Sequence, residues 1–343
     1  MKYAYTFDDL QIIPRYSEVE SRSQCNLTTR FTKQYKLGTP LVASPMDTVT
    51  EYNMAIAIAS HGGVGIVHRF MSIEKQANQV RKIKEQERLV SAAIGATGDY
   101  KERAQELVNA GAIVLLIDVA HGNTKQVRDA ITWCKQNLPN YVDVIAGNVA
   151  TYDGAKNLAK WGADAIRVGI GGGSVCSTRI RTGIGIPQVT ALIESIRAVE
   201  ESGIDIPIIA DGGIRTPGDV AKALSLGSDS VMIGSLFAGT RETPGEIQRT
   251  GQWPNEQLFK KYRGAASFET KKTHGLQEKN VEGESKLIPY KGKVERIISD
   301  INDGVRSAMS YVDATTIEEF QAKSEHVLIT QNGLIEAKPH LLL

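Results

Sequence analysis

The stretch that decides the fold is PIIADGGIRTPGDVAKALSLGSDSVMIGS, which spans residues 207–235. It opens with a short apolar run over Pro207–Ala210 and continues with a segment of helical period over Pro217–Leu226. A second apolar run, Ser230–Ile233, follows after a glycine. A strand, a helix and a second strand in this order predict a βαβ unit with two parallel strands.

The same alternation extends towards both ends of the chain. Six further apolar runs of strand length are found at Pro40–Ser44, Val64–Val67, Val90–Ile94, Ile113–Ile117, Val142–Ile145 and Ala165–Val168. Amphipathic segments with helical spacing lie between the runs, at Ile73–Gln86, Tyr100–Ala110, Gly122–Gln136, Tyr152–Trp161 and Gln188–Glu201. Residues typical of helix caps flank the helical segments: Asp99, Thr151 and Thr216 before them, and Gly111, Gly162 and Gly227 after them.

Eight strands that alternate with helices predict an α/β fold, a (β/α)8 TIM barrel, as a single domain over residues 1–343. An open parallel sheet with added strands is the alternative. The segment 240–293 breaks the alternation, because it is polar and lacks apolar periodicity, and we expect an irregular active-site flap there. Residues 294–323 return to a helical pattern, and Val327–Thr330 is expected to be a short strand.

The composition is that of a globular protein, and it excludes several classes of function. Forty basic and thirty-nine acidic residues give a net charge of +1, so nothing favours nucleic acid or an anionic membrane as a partner. The three cysteines lack metal-ligand spacing, which fits a reducing compartment better than a disulfide framework. Because the sequence also shows no signal peptide and no membrane-length apolar run, we expect a cytoplasmic protein.

Active sites of such barrels lie at the carboxyl ends of the strands. Asp211-Gly212-Gly213 follows the seventh candidate strand, and Gly234-Ser235 follows the eighth. These are the two loops that commonly bind phosphate in barrels, through glycine amides that approach the anion closely. Tight turns without a ligand are the alternative for each glycine pair. Asp211 is itself negative, so we expect it to accept hydrogen bonds from ribose hydroxyls rather than to hold phosphate.

The loop after the sixth candidate strand, Gly169–Arg179, is dense in glycine and carries Cys176. Its glycines allow backbone carbonyls to converge on a cation or amides on an anion, and its spacing does not match a dinucleotide-binding fingerprint. Cys176 is predicted to be a reactive thiol, whereas Cys25 and Cys134 are interpreted as structural. After the fourth and fifth strands stand Asp118 and Asn148; the acid either binds the ribose of a second nucleotide or caps the next helix.

The cysteine loop, continued through Thr182–Gln188, closely resembles the catalytic loop of IMP dehydrogenases and GMP reductases. The resemblance covers essentially the whole chain. Its further motifs are Thr6–Asp9, Ser44–Val49, Gly65–Arg69, Ala210–Ile214, Ala238–Thr240, Tyr262–Gly264 and Pro289–Gly292. Such enzymes work at purine C2 of a nucleoside monophosphate through a covalent bond to the cysteine, with NAD or NADPH as the partner in hydride transfer, and the resemblance also implies a homotetramer.

The resemblance assigns roles residue by residue. It implies that Cys176 attacks purine C2 and that Thr178 orients the nitrogen or oxygen nucleophile. Substrate binding is implied for Ser44, Met46 and Asp211, and phosphate binding for Ser174, Gly213, Gly234, Ser235 and Tyr262. The dinucleotide is implied to lie against Asp118, Val119, Ala120 and Asn148. The carbonyls of Gly171, Gly173 and Cys176 match a potassium site, although Gly172 replaces the proline usual in dehydrogenases. A purine-facing acid is expected at Glu269, with Glu278 and Glu282 as the alternatives.

Two features favour a GMP reductase, which makes IMP and ammonia from GMP and NADPH. No regulatory CBS modules interrupt residues 85–89, and the flap between Ala265 and Pro289 has no arginine or tyrosine to activate water. An IMP dehydrogenase is the alternative, because Val67–Arg69 and Val281–Gly283 resemble that enzyme. A weaker alternative is a nucleotide-binding homologue with little catalysis, which the retained Cys176 and Thr178 disfavour.

Overall fold

A computed structural model describes residues 3–252, 254–273 and 281–337. Within these ranges the strands are β1 (Leu10–Ile12), β2 (Thr29–Arg30), β3 (Lys36–Leu37), β4 (Leu41–Ala43), β5 (Val64–Val67), β6 (Ser91–Ile94), β7 (Val114–Asp118), β8 (Asp143–Val149), β9 (Ala165–Val168), β10 (Ile208–Asp211), β11 (Ser230–Ile233), β12 (Gln248–Thr250), β13 (Gln257–Arg263), β14 (Ser285–Pro289) and β15 (His326–Leu328).

The helices alternate with the strands over most of the chain. In the same described ranges they are α1 (Tyr52–Ala59), α2 (Ile73–Lys84), α3 (Tyr100–Asn109), α4 (Lys125–Asn137), α5 (Tyr152–Lys160), α6 (Thr178–Thr182), α7 (Gln188–Ser202), α8 (Pro217–Ser225), α9 (Phe268–Thr273), α10 (Val294–Ser310), α11 (Ile317–Lys323) and α12 (Gln331–Glu336). No helix in the part of the chain that the structure describes is long and apolar enough to cross a membrane.

Strands β4 to β11 form a closed parallel barrel, which confirms the predicted fold and excludes the open sheet. Each strand pairs in parallel with the next along the chain, and the barrel closes where β11 pairs with β4. Side chains alternate between a small cluster inside the barrel and a larger one between strands and helices, so that Val42 points inward while Leu41 and Ala43 point outward. The inner layer is therefore a packed core and not a pore.

The ends of the predicted helices are nearly those observed, because the sequence marks them chemically. Thr151 and Thr216 accept hydrogen bonds from the amides of Gly154 and Asp219, as N-caps should. Asp99 makes no capping hydrogen bond and instead forms an ion pair with Arg103. Helix α1 was not predicted. Apart from Tyr52 and Asn53 it consists of methionine, alanine and isoleucine, so it lacks the continuous polar face that marks an amphipathic helix.

The segment 240–293, expected to be irregular, contains a three-stranded antiparallel sheet of β12, β13 and β14. Strand β13 was not predicted, because a lysine at one of its buried positions interrupts the alternation of apolar and polar residues. Lys260 is buried there, and its ammonium donates hydrogen bonds to the carbonyl oxygens of Thr240 at 3.2 Å and Thr243 at 2.5 Å. Burial of a charge is tolerated when it is bonded in this way. Between α2 and β6 the chain passes directly through residues 85–90, with no inserted module.

Candidate active site

A cavity of about 480 Å³ opens at the carboxyl ends of the barrel strands. Loops from both halves of the chain line it, including those after β4, β7, β9, β10 and β11. Its wall includes every residue for which the sequence implied a substrate, dinucleotide or potassium role, together with Cys176 and Thr178. The barrel topology thus brings together side chains that are up to 238 positions apart in sequence, from Ser44 to Glu282.

The loop that carries Cys176 is fixed at both of its ends. Arg179 donates from Nη2 to the carbonyl oxygens of Ile170 at 3.1 Å and Ile186 at 2.6 Å, which ties the start of the loop to its end. Gly171 and Gly185 have positive φ and leave no room for a Cβ beside the Arg179 side chain. The Cys176 amide donates to Gly173 at 3.0 Å, and the thiol remains partly exposed to the cavity.

A short chain of hydrogen-bonding groups leads away from the thiol. The Cys176 sulfur lies 3.2 Å from the hydroxyl oxygen of Thr178, and that hydroxyl donates to the Glu282 carboxylate at 2.7 Å. Backbone pairing sets the distance, because the Ser177 amide donates to the Glu282 carbonyl at 3.0 Å and the Glu284 amide to the Val175 carbonyl at 2.8 Å. A thiol, a hydroxyl and a carboxylate in this order provide a path for a proton.

Glu269, the acid expected to face the purine, does not line the cavity that contains Cys176. Its carboxylate accepts hydrogen bonds from Lys261 and Ser285, and the Arg263 guanidinium is 4.0 Å away. The hydrogen bond from Lys261 lowers the pKa of Glu269, so this carboxylate is held ionised and fixes α9 to the sheet of β13 and β14. Among the described residues Glu282, and not Glu269, belongs to the cavity wall with Cys176 and Thr178. The third alternative, Glu278, lies outside the described residues.

Two acids predicted to bind ribose are joined by an arginine that the sequence analysis did not single out. Arg167 donates to Asp118 at 2.5 Å from Nη1, and to Asp211 at 3.0 Å from Nε. The Asn148 side-chain amide also donates to Asp211, at 2.7 Å. Burial by itself lowers the pKa of Arg167, but the charges of Asp211 and Asp118 raise it further, and the net shift is upward. The sequence does contain one indication of this role, because Arg167 is a charged residue within the otherwise apolar run Ala165–Val168.

Two hydroxyl groups and a glycine turn line another part of the cavity. The Tyr262 hydroxyl lies 3.3 Å from the Ser174 hydroxyl and close to Gly234, where an added Cβ would stand 3.1 Å from it. Burial raises the pKa of Tyr262 to about 12, so the phenol keeps its proton and can donate it to a ligand. The amide of Gly213 is already engaged with the carbonyl of Gly172, at 3.0 Å, and it supports the loop rather than pointing at a ligand.

Comparisons with known proteins agree with this architecture. A family model described as "IMP dehydrogenase / GMP reductase domain" matches residues 4–340. The IMP dehydrogenase of Cryptosporidium parvum is 39% identical over 390 residues, covering 98% of this chain and 94% of its own. That of Borreliella burgdorferi is 38% identical, covering 99% and 97%. A solved cysteine-to-alanine variant of GMP reductase from Trypanosoma brucei, in complex with guanosine 5'-monophosphate, gives a TM-score of 0.92 at 29% identity, covering 100% and 99%.

Proposed function

The chain belongs to the IMP dehydrogenase/GMP reductase family of oxidoreductases, and from that premise we propose that it is a GMP reductase, which converts GMP and NADPH to IMP, ammonia and NADP⁺. One observation carries the proposal. The thiol of Cys176 is linked through Thr178 to the Glu282 carboxylate, while residues 265–289 provide no arginine or tyrosine to activate water. The site is therefore equipped to move a proton onto a leaving amine and is poorly equipped for hydrolysis.

The nucleotide is oriented by groups at the two ends of the cavity. Its ribose hydroxyls donate to Oδ1 of Asp211, since Oδ2 already accepts from Arg167 and Asn148. Its phosphate is held by the hydroxyl groups of Tyr262 and Ser174, together with the Gly234-Ser235 turn. Gly213 supports the loop beside the phosphate, where its amide donates to the Gly172 carbonyl at 3.0 Å. Ser44 and Met46 border the pocket between the two ends, where the purine lies.

The chemistry follows from the positions of the thiol and the hydroxyl. The Cys176 sulfur bonds to purine C2 while the bond from C2 to the amino nitrogen breaks, and the thiol proton passes through Thr178 and Glu282 to the departing ammonia. The product of this step is a thioimidate, so one difficult exchange is divided into two easier ones. Hydride arrives at C2, the carbon–sulfur bond breaks, and the returning thiolate takes up a proton. The purine carbon is reduced by two electrons.

The nicotinamide cofactor supplies that hydride when it is bound. Asp118, Val119, Ala120 and Asn148 are the residues proposed to hold it, and the fit rests on the Asp118 carboxylate, which faces the same cavity as Cys176. The Asn148 side chain is oriented by the Gly169 carbonyl, to which it donates at 2.7 Å. Potassium bound by the carbonyls of Gly171, Gly173 and Cys176 stays a prediction, as do the homotetramer and the cytoplasmic location.

IMP dehydrogenase is the second candidate, because the relatives that share 38–39% identity carry that name. The discriminating experiment supplies purified protein with GMP and NADPH or NADH, and separately with IMP, NAD and water, while the absorbance of the reduced nicotinamide is followed. Steady consumption of reduced cofactor with release of ammonia supports the reductase. Steady formation of XMP from IMP, with no turnover of GMP, would reject it in favour of the dehydrogenase.

A further inference from the structure

We propose that Arg167 is a positioning residue that couples the two nucleotide subsites, so that the binding of the purine nucleotide at Asp211 depends on Asp118 in the dinucleotide subsite. The inference deepens the proposed function and rests on its assignment of the two acids. An uncharged residue at position 118 should weaken the binding of the purine nucleotide even when no dinucleotide is present.

The alternation of side chains along three strands points three charged groups into the barrel interior. In β7, β9 and β10 the side chains of Leu116, Ala165 and Ile209 belong to the inner cluster. Because side chains alternate along a strand, residues two positions further on also point inward. These are Asp118, Arg167 and Asp211, at the carboxyl ends of their strands. The barrel interior beneath the cavity thus carries an acid, a base and an acid, where apolar side chains are usual.

A glycine allows the arginine to reach across the barrel wall. Asp118 pairs in register with Gly147, and Gly147 pairs with Arg167. An added Cβ at Gly147 would stand 2.6 Å from the Arg167 carbonyl oxygen and 2.7 Å from its Cβ. The position between the acid and the base is therefore open only to glycine, and the Arg167 side chain spans it to bond with Asp118.

The guanidinium is held by both carboxylates, through all three of its nitrogens. Nη1 contacts Asp118, while Nε and Nη2 contact the same Oδ2 atom of Asp211, both at 3.0 Å. The Arg167 side chain is only 9% exposed, so its charge is weakly screened by solvent. The planar fork of an arginine can hold two carboxylates at fixed angles, whereas the ammonium of a lysine cannot.

Coupling follows from this shared contact. Asp118 fixes Nη1, and by doing so it fixes the direction from which Nε and Nη2 approach Asp211. When Asp118 loses its charge, the guanidinium is free to rotate, and the Asp211 carboxylate is held less firmly for the ribose. The same contact acts in the other direction, because Asp211 holds Nε and Nη2 and thereby sets the approach of Nη1 to Asp118. Residues within one ion-pair network commonly show interaction energies of this kind.

A thermodynamic cycle on IMP binding tests the inference. All proteins carry Cys176→Ala so that no covalent adduct forms, and calorimetry measures the Kd of IMP without dinucleotide. Asp118→Asn is made in the presence of Arg167 and again with Arg167→Met. We expect the substitution at 118 to weaken IMP binding about fivefold when Arg167 is present, the low end of coupling between linked sites, and to have no effect when it is absent. Arg167→Lys repeats the test in case the methionine variant does not fold.

The outcomes separate the inference from the function on which it rests. An equal loss of IMP affinity from Asp118→Asn in both backgrounds would overturn the inference, because Asp118 would then touch the nucleotide directly. No loss in either background overturns it as well, while the proposed function stands if GMP is still reduced. Arg103→Met is the matched control, since Arg103 is also a buried arginine but pairs with Asp99 at 2.6 Å, outside the cavity. It should leave the affinity for IMP unchanged.

Discussion

The hydroxyl of Thr178 donates a 2.7 Å hydrogen bond to the carboxylate of Glu282, although the two residues are 104 positions apart. The same hydroxyl lies 3.2 Å from the Cys176 sulfur, so one residue touches both the proposed nucleophile and the proposed proton acceptor. Glu282 reaches this position through backbone pairing with the cysteine loop, which makes the geometry a property of the fold.

Replacing Glu282 by glutamine should lower kcat for GMP reduction by about 10²–10⁴, the usual contribution of a positioned acid or base. The affinity for GMP should change little, because the proton path and not the binding contact is removed. Glu269→Gln is the matched control, since it makes the same change to a carboxylate that bonds Lys261 and Ser285 outside the cavity. A larger loss of kcat in the Glu269 variant would assign the role to Glu269.

Cys176→Ala should abolish turnover and keep nucleotide binding, because the covalent step needs the sulfur and the binding groups lie elsewhere. Alkylation provides a second measurement. A thiol reagent should modify Cys176 alone, since Cys25 and Cys134 are 2% and 1% exposed and burial raises the pKa of Cys134 to about 12. GMP should protect Cys176. Turnover of the alanine variant near the wild-type rate would contradict the covalent mechanism.

The sequence located Cys176 in the glycine-rich loop after β9 and Asp211 at the end of β10, and the family resemblance added Thr178. Local patterns are informative there, since the carboxyl ends of all barrel strands meet at one face. The choice among the glutamates was not available from the sequence. It depends on pairing between the cysteine loop and residues 282–284, which is a long-range contact.

The ion pairs of Arg167 and the strand β13 were also not predicted, because each involves a charged residue at a buried position. Arg167 lies within an apolar run that predicts a strand, and nothing local indicates that two acids neutralise it. Strand β13 was not predicted because it contains Lys260 at a buried position. The carbonyl groups that bind this lysine belong to a different segment of the chain. In both cases the charge is tolerated only through tertiary partners, which the pattern of hydrophobicity does not contain.

Asp211→Asn should weaken the binding of GMP by about 1.5–3 kcal/mol, the range for hydrogen bonds to a charged group, or about tenfold to hundredfold in Kd. The ribose hydroxyls lose a charged acceptor, and Arg167 loses one of its two partners. Asp205→Asn serves as the control, since Asp205 is an exposed acid paired with Arg30 away from the cavity. If calorimetry shows equal affinities of the Asp211 variant and the wild type for GMP, Asp211 does not bind the ribose.

The pKa of Tyr262 predicts a pH dependence with a definite sign. An ordinary tyrosine ionises near pH 10, but burial raises the pKa of Tyr262 to about 12. The folded state therefore binds its proton more tightly than the unfolded state, and the associated stability is present below about pH 10 and is lost as the pH rises towards 12. Denaturant unfolding of the wild type and Tyr262→Phe should show a difference in stability that changes only in that alkaline window. A difference that changes between pH 6 and 9 would contradict the assignment.

The absence of an arginine or tyrosine from residues 265–289 determines which direction of the reaction the protein can complete. With IMP and NAD, hydride transfer requires only Cys176, a bound nicotinamide and correct orientation, so a first turnover to the thioimidate is expected. Hydrolysis then requires an activated water, and residues 265–289 contain no arginine or tyrosine to act on it. Since general-base assistance is worth about 10²–10⁴ in rate, the thioimidate should accumulate. Stopped-flow absorbance should show a burst of about one NADH per site followed by very slow turnover.

Added ammonia should discharge the adduct to GMP and restore steady turnover, because the path through Thr178 and Glu282 serves an amine nucleophile in the reverse direction. Rapid, steady formation of XMP without ammonia would instead identify the protein as a dehydrogenase, with Lys272 or another residue of the flap in place of the arginine.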